Sequence, residues 1–178
     1  MFFLTGKKKS VATAVLLLLM SSITKAQVEL SSVDDLLLEN DCRRLGVLYS
    51  HYVDLNQADK VADLFTETGV FSMGELEVVG RKAIRELFMI IQSKKDFISK
   101  HLLSNASIVR KSKTLAEGRS YVAVYNYPKK LGSGDQELHT KPVASAQYED
   151  QYALSKNGCL IEHRKVIPVF LRKQPSIQ

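Results

Sequence analysis

The sequence lacks the short motifs that mark nucleotide-dependent and many hydrolytic enzymes. It contains no Gly-x-Ser-x-Gly elbow, no P-loop and no dinucleotide fingerprint. His51 lies three residues before Asp54, but no third side chain at metal-ligand spacing accompanies them. We therefore expect neither a metal ion nor a nucleotide cofactor in this protein.

Long apolar runs are also lacking beyond the first part of the chain. After residue 26 no segment stays apolar for the ~20 residues that a membrane helix requires. Before it, basic Lys7 to Lys9 precede an apolar stretch, Val11 to Met20, and a small-x-small cleavage site ends at Ala26. We expect residues 1–26 to be a secretory signal peptide, with an uncleaved membrane anchor as the alternative. Residues 27–178 then form one domain without stable membrane insertion, exported to the periplasm or outside the cell.

The excess of positive charge belongs largely to the first 26 residues. That segment holds four lysines and no acid, so without it the formal charge falls from +6 to +2. The remaining basic clusters lack interleaved aromatic residues and match no nucleic-acid motif. They are Lys94-Lys95, Arg110 to Lys113, Lys129-Lys130 and Arg172-Lys173. We expect a solvated basic face and no nucleic-acid partner.

Cysteine is scarce, with Cys42 and Cys159 as the two examples in the chain. In an oxidising compartment the two could form a disulfide, but sequence spacing does not show contact. The alternative is a pair of buried thiols.

Apolar periodicity predicts helices in the first half of the chain. Positions such as Leu45, Leu48 and Tyr49 recur at spacings of three and four, which indicates one amphipathic helix over roughly 33–54. A short second helix follows Gln57, with an inner face that ends at Leu64 and Phe65, and residues 66–69 break it. Residues 70–73 are predicted as a strand, and a third helix opens at Gly80.

Alternating apolar residues predict strands in the second half. The predicted strands cover residues 100–109, 115–127, 143–154 and 159–170. Asn157-Gly158 is typical of a two-residue hairpin turn, and the stretch between Tyr127 and Val143 reads as a long hairpin loop that could close over a pocket. Helices followed by an antiparallel meander indicate an α+β domain with the helices on one face of a sheet.

The order of these motifs resembles the SnoaL-like branch of the nuclear transport factor 2-like, or cystatin-like cone, superfamily. The residues that carry the resemblance are Tyr49-x4-Asp54, Leu64-Phe65, Gly80-Arg81-x-Ala83-Ile84, Lys100-His101, Gly118-Arg119-x-Tyr121, Tyr148-x-Asp150 and His163-Arg164. The resemblance implies a curved antiparallel sheet that forms a conical pocket with three N-terminal helices. Characterised relatives such as scytalone dehydratase and bile-acid dehydratase transfer protons on ring-containing carbonyl compounds without a metal, and other relatives only bind ligands.

The resemblance also supplies the site hypothesis. It implies Tyr49 as a phenol donor to a carbonyl, His101 as general base and Asp54 as the group that orients His101. Tyr49 and Asp54 are five positions apart, so they share a helix face only if the helix tightens or frays before Asp54. Three tyrosines are predicted to contact the substrate: Tyr121, Tyr125 and Tyr148.

Two departures from the known dehydratases keep two functions open. Bile-acid dehydratase has a further acid on the strand where this chain has Val124, and scytalone dehydratase has a second histidine near the position of Ser120. The first prediction is an exported lyase or isomerase, of dehydratase type, acting on a hydrophobic carbonyl compound, with polycyclic compounds among the candidates. The second is a non-catalytic protein of the same fold that binds a small hydrophobic molecule. The fold also predicts a homodimer or higher homo-oligomer, because related cones associate through their convex faces.

Overall fold

A computed structural model describes residues 32–129 and 141–172. The predicted signal peptide and much of the predicted loop between Tyr127 and Val143 lie outside these residues. In the described part of the chain, no helix combines the length and the apolar character needed to cross a membrane.

Three helices precede most of the sheet: α1 (Val33–Asp54), α2 (Ala58–Asp63) and α3 (Arg81–Ser93). Ser32 caps α1 by accepting a hydrogen bond from the Asp35 backbone N–H at 3.1 Å, which satisfies one of the free donors of the first turn. The buried face of α1 contains Cys42, Leu45 and Tyr49, whose spacings of three and four match the predicted stripe. Gly80 precedes α3 with a φ of 93°, a conformation that favours glycine.

The sheet has six strands in the order β2-β1-β6-β5-β4-β3. Their bounds are β1 (Phe65–Met73), β2 (Leu76–Val79), β3 (Phe97–Arg110), β4 (Leu115–Pro128), β5 (Ala144–Ser155) and β6 (Gly158–Leu171). The long strands β3 to β6 form the predicted antiparallel meander. The predicted α+β class is confirmed, with one difference: β1 runs parallel to β6, so the sheet is mixed.

The region around β1 differs from the prediction. Phe65 was expected on the second helix and residues 66–69 as a break, whereas Phe65 opens β1 and the strand runs through these residues. Phe65 is fully buried in the core. A buried apolar residue fits a strand as well as a helix, so its apolar character does not distinguish the two. The hairpin partner β2 was not predicted, because it has four residues and three of them are exposed.

The last hairpin is shifted by one residue from the predicted turn. Ser155 pairs with Gly158, which leaves Lys156 and Asn157 as the two connecting residues. A positive φ, of 109°, falls on Gly158 and not on Asn157. The conformation that favours glycine therefore falls where the strand resumes.

The core lies between the helices and the inner face of the sheet, and a disulfide joins its two sides. Cys42 on α1 and Cys159 on β6 are bonded, with Cα atoms 5.3 Å apart. The bond closes a loop across a sequence separation of 117 residues, which restricts the unfolded chain strongly. Of the two sequence alternatives, the structure selects the disulfide.

The disulfide gives a simple prediction for the purified protein. Because both cysteines are consumed by the bond, titration of the protein unfolded without reductant should detect no free thiol, and titration after reduction should detect two. Two thiols before reduction would show that the bond does not form.

Candidate active site

An apolar cavity of about 650 Å³ opens between the helices and the inner face of the sheet. Its floor is formed by side chains that are almost completely buried: Tyr49, Phe71, Phe88, Val122 and Tyr148. Aromatic rings make up most of that floor, and Tyr49 meets Phe88 and Tyr148 edge-on with centroids 5.8 and 5.9 Å apart. A cavity of this size and lining suits a small apolar ligand.

His101 and Asp54 form a hydrogen-bonded pair at the wall of the cavity. Asp54 is the last residue of α1, and His101 lies on β3 and lines the cavity. The His101 Nδ1 is 2.6 Å from one carboxylate oxygen, and the backbone N–H of His101 donates to the other at 3.0 Å. Both carboxylate oxygens of Asp54 are therefore bonded to His101. The other ring nitrogen of His101, Nε2, has no hydrogen-bond partner among the described residues.

The hydrogen bonds from His101 also determine the charge of Asp54. Burial alone would raise the pKa of this carboxyl, but the hydrogen bonds from the ring and backbone of His101 outweigh burial and lower it. Asp54 is consequently ionised at neutral pH and stabilises positive charge on the imidazole. This is the arrangement in which a carboxylate fixes the tautomer of a histidine and supports its action as a base.

Helix α1 stays regular to Asp54, because the Leu55 backbone N–H still donates to the His51 carbonyl at 2.9 Å. Tyr49 and Asp54 consequently do not share a helix face. Tyr49 reaches the cavity directly, whereas Asp54 is not among the cavity-lining residues and acts from behind His101. Tyr49 and His101 line the same cavity, and Asp54 is hydrogen-bonded to His101, without tightening or fraying of the helix.

Two phenols face the cavity from different elements. Tyr49 is on α1 and Tyr148 is on β5, and both line the floor. Burial raises the pKa of Tyr148 to about 12, and burial together with the neighbouring Tyr148 raises the pKa of Tyr49 further. Both hydroxyls stay protonated at neutral pH, so each is a hydrogen-bond donor and not a base.

The predicted substrate contacts divide between the two faces of the sheet. Tyr148 lines the cavity, but Tyr121 and Tyr125 do not. On β4 the lining residues are Val122 and Val124, and side chains of a strand alternate between faces. Tyr121 and Tyr125 therefore lie on the opposite face, away from His101.

A buried ion pair beneath the floor was not predicted. Arg164 on β6 is fully buried, and its guanidinium donates to both carboxylate oxygens of Asp150 at 2.8 and 2.7 Å. Tyr152 donates to the same carboxylate at 2.8 Å. The guanidinium lies between the cavity tyrosines, with its carbon 4.1 Å from the Tyr49 ring centroid and 4.6 Å from that of Tyr148. These cation–π contacts hold the two phenols in position.

Both residues of this pair lie in motifs of the sequence, Tyr148-x-Asp150 and His163-Arg164, but the motifs alone do not predict that the two residues pair. Asp150 and Arg164 are direct partners in the register of β5 and β6. A charged residue at an inward position of each of two adjacent strands, among apolar neighbours, indicates such a pair. That signal becomes readable once the register is known.

Across the described ranges, no group of three or more His, Cys, Asp or Glu side chains could hold a metal ion. The site consists of one histidine, one carboxylate behind it and two phenols in an apolar cavity. Chemically, this set can remove a proton from carbon and hydrogen-bond a neighbouring oxygen.

Comparison with known proteins agrees with this architecture. No curated protein sequence matches the chain significantly. Among solved structures, a candidate scytalone dehydratase from Novosphingobium aromaticivorans has a TM-score of 0.66 and 21% identity, over 79% of this chain and 90% of that chain. A protein of unknown function from Mycobacterium tuberculosis has a TM-score of 0.65 and 21% identity, over 83% and 82%. LinA has a TM-score of 0.66 and 16% identity, over 82% and 95%.

These likenesses show a shared fold, and another similar structure, from Nostoc punctiforme, is itself described as cystatin-like. The sequence comparison is more specific, since the SnoaL-like domain matches residues 34–165, from the first turn of α1 into β6. The matched region includes Tyr49, Asp54 and His101. The chain belongs to the SnoaL-like domain family.

Proposed function

We propose that this protein is an exported lyase or isomerase that transfers a proton on a hydrophobic carbonyl compound, with a polycyclic compound as one candidate. The observation that carries the proposal is the Asp54–His101 pair at the wall of an apolar cavity with phenols on its floor. One similar structure is a candidate scytalone dehydratase, which agrees with this reaction class.

In the proposed reaction, His101 removes the proton next to the carbonyl. The C–H bond breaks, the proton goes to Nε2, and its electron pair moves toward the carbonyl oxygen. Tyr49 or Tyr148 donates a hydrogen bond to that oxygen as it gains negative charge. Asp54 stabilises the imidazolium meanwhile.

The second half of the reaction returns the proton. In an isomerase, His101 delivers it to another carbon of the same compound. In a lyase, the electron pair returns from the oxygen to form a C=C bond, the C–O bond on the neighbouring carbon breaks, and the proton on His101 leaves with the departing hydroxyl group as water. Both routes proceed without a redox cofactor, because neither oxidises or reduces the compound overall.

Export is part of the proposal. It is supported by the signal-peptide pattern in residues 1–26 and by the disulfide, since structural disulfides persist mainly in oxidising compartments.

The proposal is tested by hydrogen–deuterium exchange at the carbon next to the carbonyl of 2-tetralone, a small apolar ring ketone, followed by NMR. The wild-type protein should accelerate exchange over buffer with saturation kinetics. Val124→Trp fills the cavity from β4 and should abolish the acceleration. Tyr121→Trp, on the opposite face of the same strand, is the matched control and should keep it.

If Val124→Trp keeps its fold, shown by an unchanged circular dichroism spectrum, and exchanges 2-tetralone as fast as wild type, the cavity is not the site of reaction. Absence of acceleration by wild type over a panel of apolar ring ketones would contradict the enzymatic proposal itself.

The second candidate function is non-catalytic binding of a small hydrophobic molecule. It is favoured by the β4 wall, where Val122 and Val124 present apolar groups and no second acid or histidine. Native mass spectrometry that detects a retained apolar molecule, together with no exchange activity, would support it over the enzyme. The predicted homo-oligomer stays a prediction, and light scattering of the purified protein tests it.

A further inference from the structure

The rim of the cavity carries positive charge, in contrast to its apolar floor. Lys94 and Lys95 at the end of α3 and Arg172 after β6 line the cavity together with the floor residues. Lys129 lies against this group, because its ammonium donates to the Lys95 backbone carbonyl at 2.8 Å. Three cations thus line the cavity, and a fourth, Lys129, is bonded to the backbone of one of them.

None of these four cations forms an ion pair with a described acid. Asp54 is a carboxylate whose charge acts on Lys95, and both of its oxygens are engaged by His101. Within the part of the chain that the structure describes, the Lys95 ammonium donates to the Val53 carbonyl, at 3.4 Å. Burial and the charges of Lys100 and Lys129 together lower the pKa of Lys95, while Asp54 opposes that change. Among residues 32–129 and 141–172, the cluster is therefore short of negative charge.

The same rim also exposes apolar side chains. Met73 and Ile91 are each 42% exposed and Leu171 is 71% exposed, and all three line the cavity. A neutral apolar ligand would use the floor and these rim residues but would leave the cations unused. A ligand with an apolar body and one anionic group would use both.

We propose that the rim formed by Lys94, Lys95, Arg172 and Lys129 is a subsite for the carboxylate or sulfonate of an amphipathic anion whose apolar body fills the cavity. This inference rests on the proposed function, because it names the substrate class of the same cavity. The anionic group orients the ligand so that its apolar part extends from the rim toward the floor phenols. Charge-assisted hydrogen bonds to ammonium and guanidinium groups supply the specificity.

The test compares two fluorescent probes that share an apolar body. 1-Anilinonaphthalene-8-sulfonate carries one negative charge, and N-phenyl-1-naphthylamine is its uncharged counterpart. Wild-type protein should bind the anion at least about tenfold more tightly, the lower end of what a hydrogen bond to a charged group is worth. Raising the salt concentration to 1 M should reduce that preference, because the Debye length falls to about 3 Å.

The matched variants remove the same net charge at two places. Lys94→Gln/Lys95→Gln should lose about tenfold or more in affinity for the anion and keep its affinity for the neutral probe. Lys82→Gln/Lys165→Gln, with both lysines exposed and away from the cavity, should bind both probes as wild type does.

Equal binding of the two probes by wild type, equal losses in the two double variants, or binding of neither probe would each overturn the subsite. These outcomes are separable from failure of the proposed function. The subsite stands if the anion preference depends on Lys94 and Lys95 while 2-tetralone exchange is absent. The enzyme stands without the subsite if exchange depends on the cavity while the two probes bind alike.

Discussion

His101→Ala should slow the exchange of 2-tetralone by at least about 100-fold, since a positioned general base contributes roughly 10²- to 10⁴-fold. The substitution removes Nε2, the ring nitrogen that is not bonded to Asp54, and leaves Asp54 without the group that it orients. Tyr49 and Tyr148 remain, but both phenols are protonated at neutral pH and cannot replace a base. The measurement is the exchange rate by NMR at saturating ketone.

The matched control is His51→Ala. His51 is exposed, lies three residues before Asp54 on α1, and does not line the cavity. This variant should exchange the ketone at the wild-type rate. His101→Gln, which keeps side-chain volume and hydrogen bonding, should be as inactive as His101→Ala. A His101→Ala protein with wild-type exchange would remove His101 from the reaction.

Asp150→Asn should reduce the free energy of unfolding by about 3–5 kcal/mol, the usual cost of removing one partner of a buried ion pair. Arg164 is fully buried, and both of its strong hydrogen bonds go to this carboxylate. Asparagine accepts through one oxygen only and carries no charge, so the guanidinium would remain buried without compensation. Urea denaturation measures the change.

An exposed ion pair provides the control for that loss. Asp59 pairs with Arg85 at 2.8 Å, and its side chain is 80% exposed. Asp59→Asn should cost less than about 1 kcal/mol, because surface ion pairs contribute little. Asp150→Leu/Arg164→Met should recover much of the stability lost in Asp150→Asn, since it removes both charges together. Equal stability of Asp150→Asn and wild type would contradict the importance of the buried pair.

The buried pair also connects stability to the site. Its guanidinium lies between the rings of Tyr49 and Tyr148, so the floor of the cavity depends on a charge that must itself be neutralised by Asp150. Tyr152 donates a hydrogen bond to the same carboxylate, so the buried Asp150 is bound by Tyr152 as well as by Arg164. Loss of Arg164 should therefore disturb the positions of both phenols.

Much of the fold could be predicted from periodicity, because α1, α3 and the strands β3 to β6 are long and regularly patterned. The region after α2 could not, since the short apolar run at Leu64-Phe65 fits the end of a helix and the start of a strand equally well. The parallel pairing of β1 with β6 joins residues nearly one hundred positions apart, as in Phe65 with Ile161. Local pattern carries no information on such a pairing.

The residues of the site are also distant in sequence, so local pattern predicts only part of the site. Asp54 and His101 are separated by 47 positions, and the family resemblance, not the spacing, brought them together. The sequence alone could have shown that Tyr121 and Tyr125 do not line the cavity. Val122 and Val124 alternate with Tyr121 and Tyr125, so an apolar inner face on this strand places both tyrosines outside.

The central claim is that Asp54 holds the His101 proton on Nδ1 and leaves Nε2 free for the ligand. Nitrogen-15 NMR of the imidazole, at a pH where the ring is neutral, measures this directly. The geometry predicts a protonated Nδ1 and an unprotonated Nε2 in wild type, with the preference reduced in Asp54→Asn. A protonated Nε2 in wild type, or a tautomer ratio that does not change in Asp54→Asn, would contradict the account.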